Sequence, residues 1–197
     1  MEKRAPADHP IADVIARRWS PRGYDASRPV SREDLMSILE AGRWAPSSSN
    51  EQPWRYLIFD QSKPEVLAKA HDCLSSGNAW AKAAPVLMLS VAKLTYTRNG
   101  KPNRHAGHDT GAASISMALQ ATALGLWIHQ MGGYDSDKAR AYFGIPEDFD
   151  PMAMMALGYM LPETEIPPDI LQRDQAPRAR NPVAAMAFRG RWGVGLE

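Results

Sequence analysis

Only one cysteine, Cys73, occurs among the 197 residues, so no disulfide can form within the chain. Such sparse thiol content fits a reducing compartment. Long apolar runs are also missing. The most apolar stretch, 83–92, contains Pro85 and Ser90 and is about half the length of a bilayer-spanning helix. The first twenty residues are charged and lack the apolar centre of an export signal. A cytoplasmic protein is therefore expected, without a membrane partner. Neither sign of charge dominates: 23 Lys and Arg face 22 Asp and Glu, with no basic run of the kind that tracks nucleic acid. No Gly-x-Gly-x-x-Gly stretch is found, which removes the fingerprint of a separate dinucleotide-binding Rossmann unit.

What is present is an ordinary globular composition, 44% hydrophobic and 23% charged. The length suits one sizeable core and is too short for two comfortable domains, so a single domain over 1–197 is expected. Ile11, Val14 and Ile15 recur at helical spacing. Ser31 and Asp34 form a variant capping box before Leu35, Ile38 and Leu39, and Pro46 closes that helix. Residues 54–59 are aromatic and branched, and read as strand. Pro64 suits the first turn of a helix that turns Val66, Leu67 and Ala70 inward. Residues 85–91 read as a central strand, 127–130 and 152–159 as two more. Asp109 is placed to cap a buried helix over 110–124, ended by Gly125, and Asp135 to cap a shorter one ending near Gly144. Two segments lack a period. Residues 94–107 are polar and rich in breakers, a candidate lid carrying Tyr96 and Arg104. Residues 161–182 hold Pro162, Pro167, Pro168, Pro177 and Pro182, and are too long for an ordinary connection. They read as an extended arm, either disordered or laid along a partner. The sum is an α+β chain with helices around a small sheet.

The densest polar segment is Pro46-Ser47-Ser48-Ser49-Asn50-Glu51-Gln52-Pro53-Trp54. Proline bounds it against helix, while Ser and Asn compete for backbone hydrogen bonds and favour an ordered loop. Such a loop suits a flat, heteroatom-rich ligand; taken alone it is equally a helix-to-strand connection.

The order and spacing of several short motifs resemble the nitroreductase family of flavin enzymes along nearly the whole chain. Arg18-Trp19-Ser20-Pro21-Arg22-Gly23-Tyr24 is similar to its opening Arg-x-Ser-x-(Lys/Arg)-x-aromatic motif, and 46–54 to its Pro-Ser-Ser-x-Asn-x-Gln-Pro-Trp. His108-Asp109-Thr110-Gly111 resembles the start of its long helix. Gly125-Leu126, Met131-Gly132-Gly133-Tyr134, Leu157-Gly158-Tyr159 and Gly190-Arg191-Trp192-Gly193 follow its later glycine signals.

The resemblance implies a mostly antiparallel sheet, a homodimer exchanging C-terminal arms, and bound FMN. It implies that Arg18 and Ser20, beside Trp19, meet the FMN phosphate, with Arg178 and Arg180 reaching it from the other side. Arg22 falls at the position of a cation that stabilises charge accumulating at the flavin pyrimidine edge on reduction. Asn78 lies near the position of an Asn reading that edge; Lys82 is one place away from a family lysine. Met131, Gly132 and Gly133 would lie along the flavin N5 side, where many members carry Glu-Gly. Pro46, Ser47, Ser48, Asn50 and Gln52 would reach the flavin from the partner subunit. No catalytic acid or nucleophile is required. NADH or NADPH would reduce the flavin and leave before a small acceptor such as a nitroaromatic or quinone arrives, a ping-pong scheme. A flavin-binding or regulatory module without NAD(P)H turnover is the alternative of another class. His105, His108 and Asp109 lie close together but lack further ligands at metal-site spacing, so no metal is expected. Cys73 beside His71 and Asp72 is better read as structural than as a nucleophile, since adjacent helix residues point apart.

Overall fold

The computed structural model describes Met1 and residues 3–196. Its centre is set by the near-continuous apolar run Val86–Lys93, β2, which is buried on both faces as such a composition requires. β2 pairs antiparallel with β1, Trp54–Asp60, on one side and with β4, Phe149–Gly158, on the other. β3, Trp127–Met131, completes a four-stranded sheet of order β1-β2-β4-β3 in which every pairing is antiparallel. A register shift between Ser90 and Val91 marks a bulge on the central strand.

Side-chain alternation divides the core between two faces. Val86 and Met88 point towards α2, Arg32–Arg43, and α4, Ala106–Ala123, where Ile38, Met117 and Ala121 are fully buried. Leu87 and Leu89 point towards α3, Pro64–Cys73, and α5, Ser136–Phe143, meeting Leu67, Ala70, Cys73 and Ala139. Gly42 lets α2 and α4 approach closely: a Cβ there would stand 2.8 Å from the Met117 side chain. A short α1, Asp13–Arg17, buries Ala16 but leaves Ile11 and Ile15 nearly half exposed.

Local signals act as their chemistry requires. Ser31 Oγ accepts from the Asp34 N–H at 2.9 Å and donates to the Asp34 carboxylate at 2.8 Å. Asp135 accepts from the Lys138 N–H at 2.9 Å, and Gly144 ends α5 in the left-handed region.

Three expectations need correction. The long helix begins at Ala106, not 110, with His105 at its N-cap, and Asp109 lies inside its first turn. β4 starts three residues before 152, at Phe149, because the turn at 146–148 delivers the chain onto β2 early. Most consequentially, the proline-rich stretch contains a helix, α6, Pro168–Gln175, packed on its own chain. Pro168 occupies its first turn, where the missing N–H costs nothing. Ile170 and Asp174 are buried, and Ile166 sits within 3 Å of where a Gly23 side chain would begin. Beyond it, Val183, Met186, Trp192, Val194 and Leu196 remain exposed. Among the described residues no helix is long and apolar enough to cross a membrane.

Candidate functional site

The turn 18–23 and the segment after α6 enclose a cavity of about 220 Å³ lined by Lys3, Arg18, Trp19, Ser20, Arg22, Arg173, Ala176, Arg178 and Arg180. It collects the sequence-selected Arg18, Trp19, Ser20, Arg22, Arg178 and Arg180, which are about 160 residues apart in the chain. Lys3 and Arg173 were not foreseen; an N-terminal lysine and an arginine on an unrecognised helix carry no local pattern.

The cations have different duties. Arg178 donates to the carbonyls of Lys3 at 2.6 Å, Ala16 at 2.9 Å and Arg18 at 3.0 Å. It is a backbone clamp that joins the chain's two ends. Lys3 Nζ donates to the carbonyls of Asp174 and Ala176, at the C-terminal end of α6, where a cation is favourable. The half-buried Arg18 guanidinium has no hydrogen-bond or ion-pair partner among the described residues. Burial, and then the neighbouring Arg178 and Arg180 charges, lower its pKa. Trp19 Nε1 and Arg22 Nε are buried without a hydrogen-bond partner among the described residues. Uncompensated donors and like charges in one cavity are costly unless an anion occupies it.

Arg22 is held by Asp174. The Asp174 carboxylate accepts from the Arg22 N–H at 2.8 Å, from Arg22 Nη1 at 3.0 Å and from the Gly23 N–H at 3.3 Å. Beside this pair, Trp80 lies between Tyr24 and His129, with centroids 6.2 Å and 4.5 Å away. His129 Nδ1 donates to the Pro21 carbonyl at 2.8 Å, since that oxygen only accepts. Burial depresses the His129 pKa to about 4, so the ring stays neutral near pH 7.

A second group forms at the end of β3. Asn78 Nδ2 donates to the Gly133 carbonyl at 2.9 Å, joining two sequence-selected residues. A side chain at Gly133 would begin 2.6 Å from Asn78 Nδ2 and 2.9 Å from Ser75 Oγ, so any larger residue there would have to displace those side chains. Gly132 faces open space instead. Met131 is a core residue, 3% exposed, and only its backbone is available to a ligand. Lys82 is exposed and lines a separate cavity with Arg22 and Trp80.

The 46–52 loop is shaped elsewhere. Ser49, Asn50 and Gln52 adopt φ of 57°, 53° and 52°, a strained choice for residues with side chains. Outside contacts hold it there. The Ser48 N–H donates to Asp109 at 2.9 Å, Ser48 Oγ lies 3.1 Å from the Tyr96 hydroxyl, and Glu51 accepts from the Thr97 N–H at 2.8 Å and hydroxyl at 2.5 Å. These Thr97 bonds hold the Glu51 carboxyl below its usual range. Asp109 is thus a loop anchor and not the helix cap. Segment 94–103 is a hydrogen-bonded tongue, with the Tyr96 N–H on Lys101 O at 2.8 Å and the Asn103 N–H on Leu94 O at 2.7 Å. Within one chain, Pro46, Ser47, Ser48, Asn50 and Gln52 are not among the residues lining the Arg18 cavity.

Among the described residues no cluster of His, Cys, Asp and Glu could hold a metal; His108 Nδ1 simply meets Asp109 at 3.1 Å. Cys73 is buried in the core, and burial pushes its thiol pKa up.

An antiparallel sheet between two helical layers, with a cationic cavity where the N- and C-terminal segments meet, is an α+β fold carrying a candidate anion site. The Nitroreductase family profile matches residues 15–159, and the chain belongs to that family. A crystal structure described as that of an oxidoreductase containing FMN superposes with a TM-score of 0.87 at 35% identity, covering 95% of this chain and 96% of the other. A 15.4 kDa protein of Mycolicibacterium smegmatis, uncharacterised, is 36% identical over 120 residues, 61% of this chain and 80% of its own. The major NAD(P)H-flavin oxidoreductase of Aliivibrio fischeri is 34% identical over 95 residues; the match spans 46% of this chain and 43% of that enzyme.

Proposed function

We propose that this protein is an FMN-dependent oxidoreductase that takes electrons from NADH or NADPH and delivers them to a small acceptor, a nitroaromatic or a quinone. The observation that carries the reading is the Arg18 cavity: an unpaired guanidinium, two orphaned buried donors and further cations converge on a space suited to a phosphate. FMN carries such a phosphate, and the site's donor set fits it. Bound there, FMN would supply the electron chemistry. This chain's own residues would bind and orient. Arg18, Ser20 and Arg180 would hold the phosphate, and Arg178 would keep their backbone in place. Arg22 would present its remaining donors to the pyrimidine edge. Asn78 would fix the Gly132-Gly133 backbone at the hydride-accepting side. Donor and acceptor would take turns at one surface, giving ping-pong kinetics.

The 46–52 loop would complete the site from a second copy in a cytoplasmic homodimer. What supports this is its separation from the Arg18 cavity within one chain, and the exposed apolar residues Ile11, Ile15, Ile115 and Trp192. A monomer saturated with FMN in sedimentation would overturn the dimer reading.

The test is an absorption spectrum after FMN is added and excess removed. A retained flavin spectrum that bleaches anaerobically with NADPH or NADH, and returns with a quinone or nitroaromatic, is expected. Retained flavin that neither nicotinamide reduces would favour a binding module. No retained flavin would overturn the proposal.

A further inference from the structure

We infer that Asp174 is a positioning residue that neutralises Arg22 and thereby holds the reduction potential of the bound flavin down. This rests on the FMN reading above.

The pairing is unusually complete for a helix-end carboxylate. Asp174 is 1% exposed, and both its oxygens are engaged: one by Arg22 Nη1, the other by two consecutive backbone N–H groups, of Arg22 and Gly23. α6 cannot slide without breaking all three bonds. On the far side, Lys3 bonds the Asp174 backbone carbonyl, and Ile170 and Ile166 pack beside Gly23 and Tyr24. The helix thus fixes a negative charge 3.0 Å from the cation assigned to the pyrimidine edge.

Reduction of FMN by two electrons and one proton adds one negative charge to the flavin. A free guanidinium at its edge would stabilise that charge; a guanidinium already paired with a carboxylate stabilises it much less. The same pair fixes where Arg22's other donors point. Lower potential narrows the free-energy drop from the nicotinamide and widens the drop to the acceptor. The pair therefore tilts the protein towards acceptors that are hard to reduce.

The experiment measures the midpoint potential of bound FMN by equilibration with a reference dye, alongside the FMN dissociation constant and far-UV circular dichroism. Asp174→Asn keeps an acceptor for the two N–H groups but removes the charge. It should raise the reduced-to-oxidised ratio at fixed potential about tenfold, which is ~30 mV for a two-electron couple. A folded, flavin-loaded Asp174→Asn protein with the wild-type potential would overturn the inference and leave the FMN reading intact. Wild-type protein that retains no FMN overturns both. Should Asp174→Asn not fold, the double variant Arg22→Gln/Asp174→Asn decides. One neutral pair then replaces another, so its potential should stay within about threefold of wild type in that ratio. A tenfold fall, matching Arg22→Gln alone, would mean that Arg22 acts as an uncancelled cation and would refute the role of Asp174. A merely structural role for Asp174 would alter stability and leave the potential unmoved.

Discussion

Replacing Arg18 by methionine separates an anion anchor from a surface charge. The side-chain stem stays and the guanidinium goes. The Arg18 guanidinium has no hydrogen-bond or ion-pair partner among the described residues, while Arg178 is committed to three backbone carbonyls and Arg22 to Asp174. The guanidinium is thus an unencumbered donor in the cavity. A charge-assisted hydrogen bond contributes about 1.5–3 kcal/mol, so FMN affinity should fall roughly 10- to 150-fold. Riboflavin has the same ring system but no phosphate, and its affinity should change less than about threefold. Without ligand the direction reverses. Removing a half-buried cation crowded by Arg178 and Arg180 relieves repulsion, and the ligand-free Tm should rise by about 1–3 °C. Fluorescence titration of both flavins and a thermal melt without flavin are sufficient. Equal loss of FMN and riboflavin, or a clear drop in the ligand-free Tm, would show that Arg18 is a packing residue, and the phosphate assignment would fail.

Acid should act through His129. Its folded pKa, about 4, lies below the ordinary 6.5, so the native state prefers the neutral ring. The stability this contributes is complete above about pH 6.5 and is lost as pH falls towards 4; the full difference amounts to ~3 kcal/mol. Urea melts between pH 8 and 4 should display the loss, and His129→Gln should flatten it; parallel curves would clear His129. The two neighbouring glycines should behave differently. Gly133→Ala must displace Asn78 and is expected to lower stability by about 1–2 kcal/mol in urea melts, whereas Gly132→Ala, facing open space, should melt like wild type. Asp109→Ala strands the Ser48 N–H beneath a strained loop and should cost about 1–3 kcal/mol; an unchanged midpoint would mean the loop holds itself.

Strands were legible wherever composition and period agreed. The run at Val86–Lys93 is apolar on both faces, and only a central strand buries both faces of a short segment. Ser31, Asp135, Pro64 and Gly144 act through bonds or dihedrals within a few residues, so their roles could be read without a fold. α6 was hidden because Pro167 and Pro168 read as breakers, although a proline at a helix start is no obstacle. Asp109 looked like a helix cap because Asp favours that position; its carboxylate instead meets Ser48, 61 residues earlier in the chain.

The candidate site divides in the same way. The family resemblance marked Arg18, Ser20, Arg22, Asn78, Gly133, Arg178 and Arg180 as residues of interest, because the motifs that carry it are local in the sequence. Tertiary structure decided which cations are free. Arg178 is taken up by backbone carbonyls, Arg22 by Asp174, and the Arg18 guanidinium is left without a partner among the described residues. A charge's availability depends on what the rest of the chain brings within about 3 Å of it, and that distance is created only when the segment around Asp174 and Arg178 folds back onto the N-terminal residues.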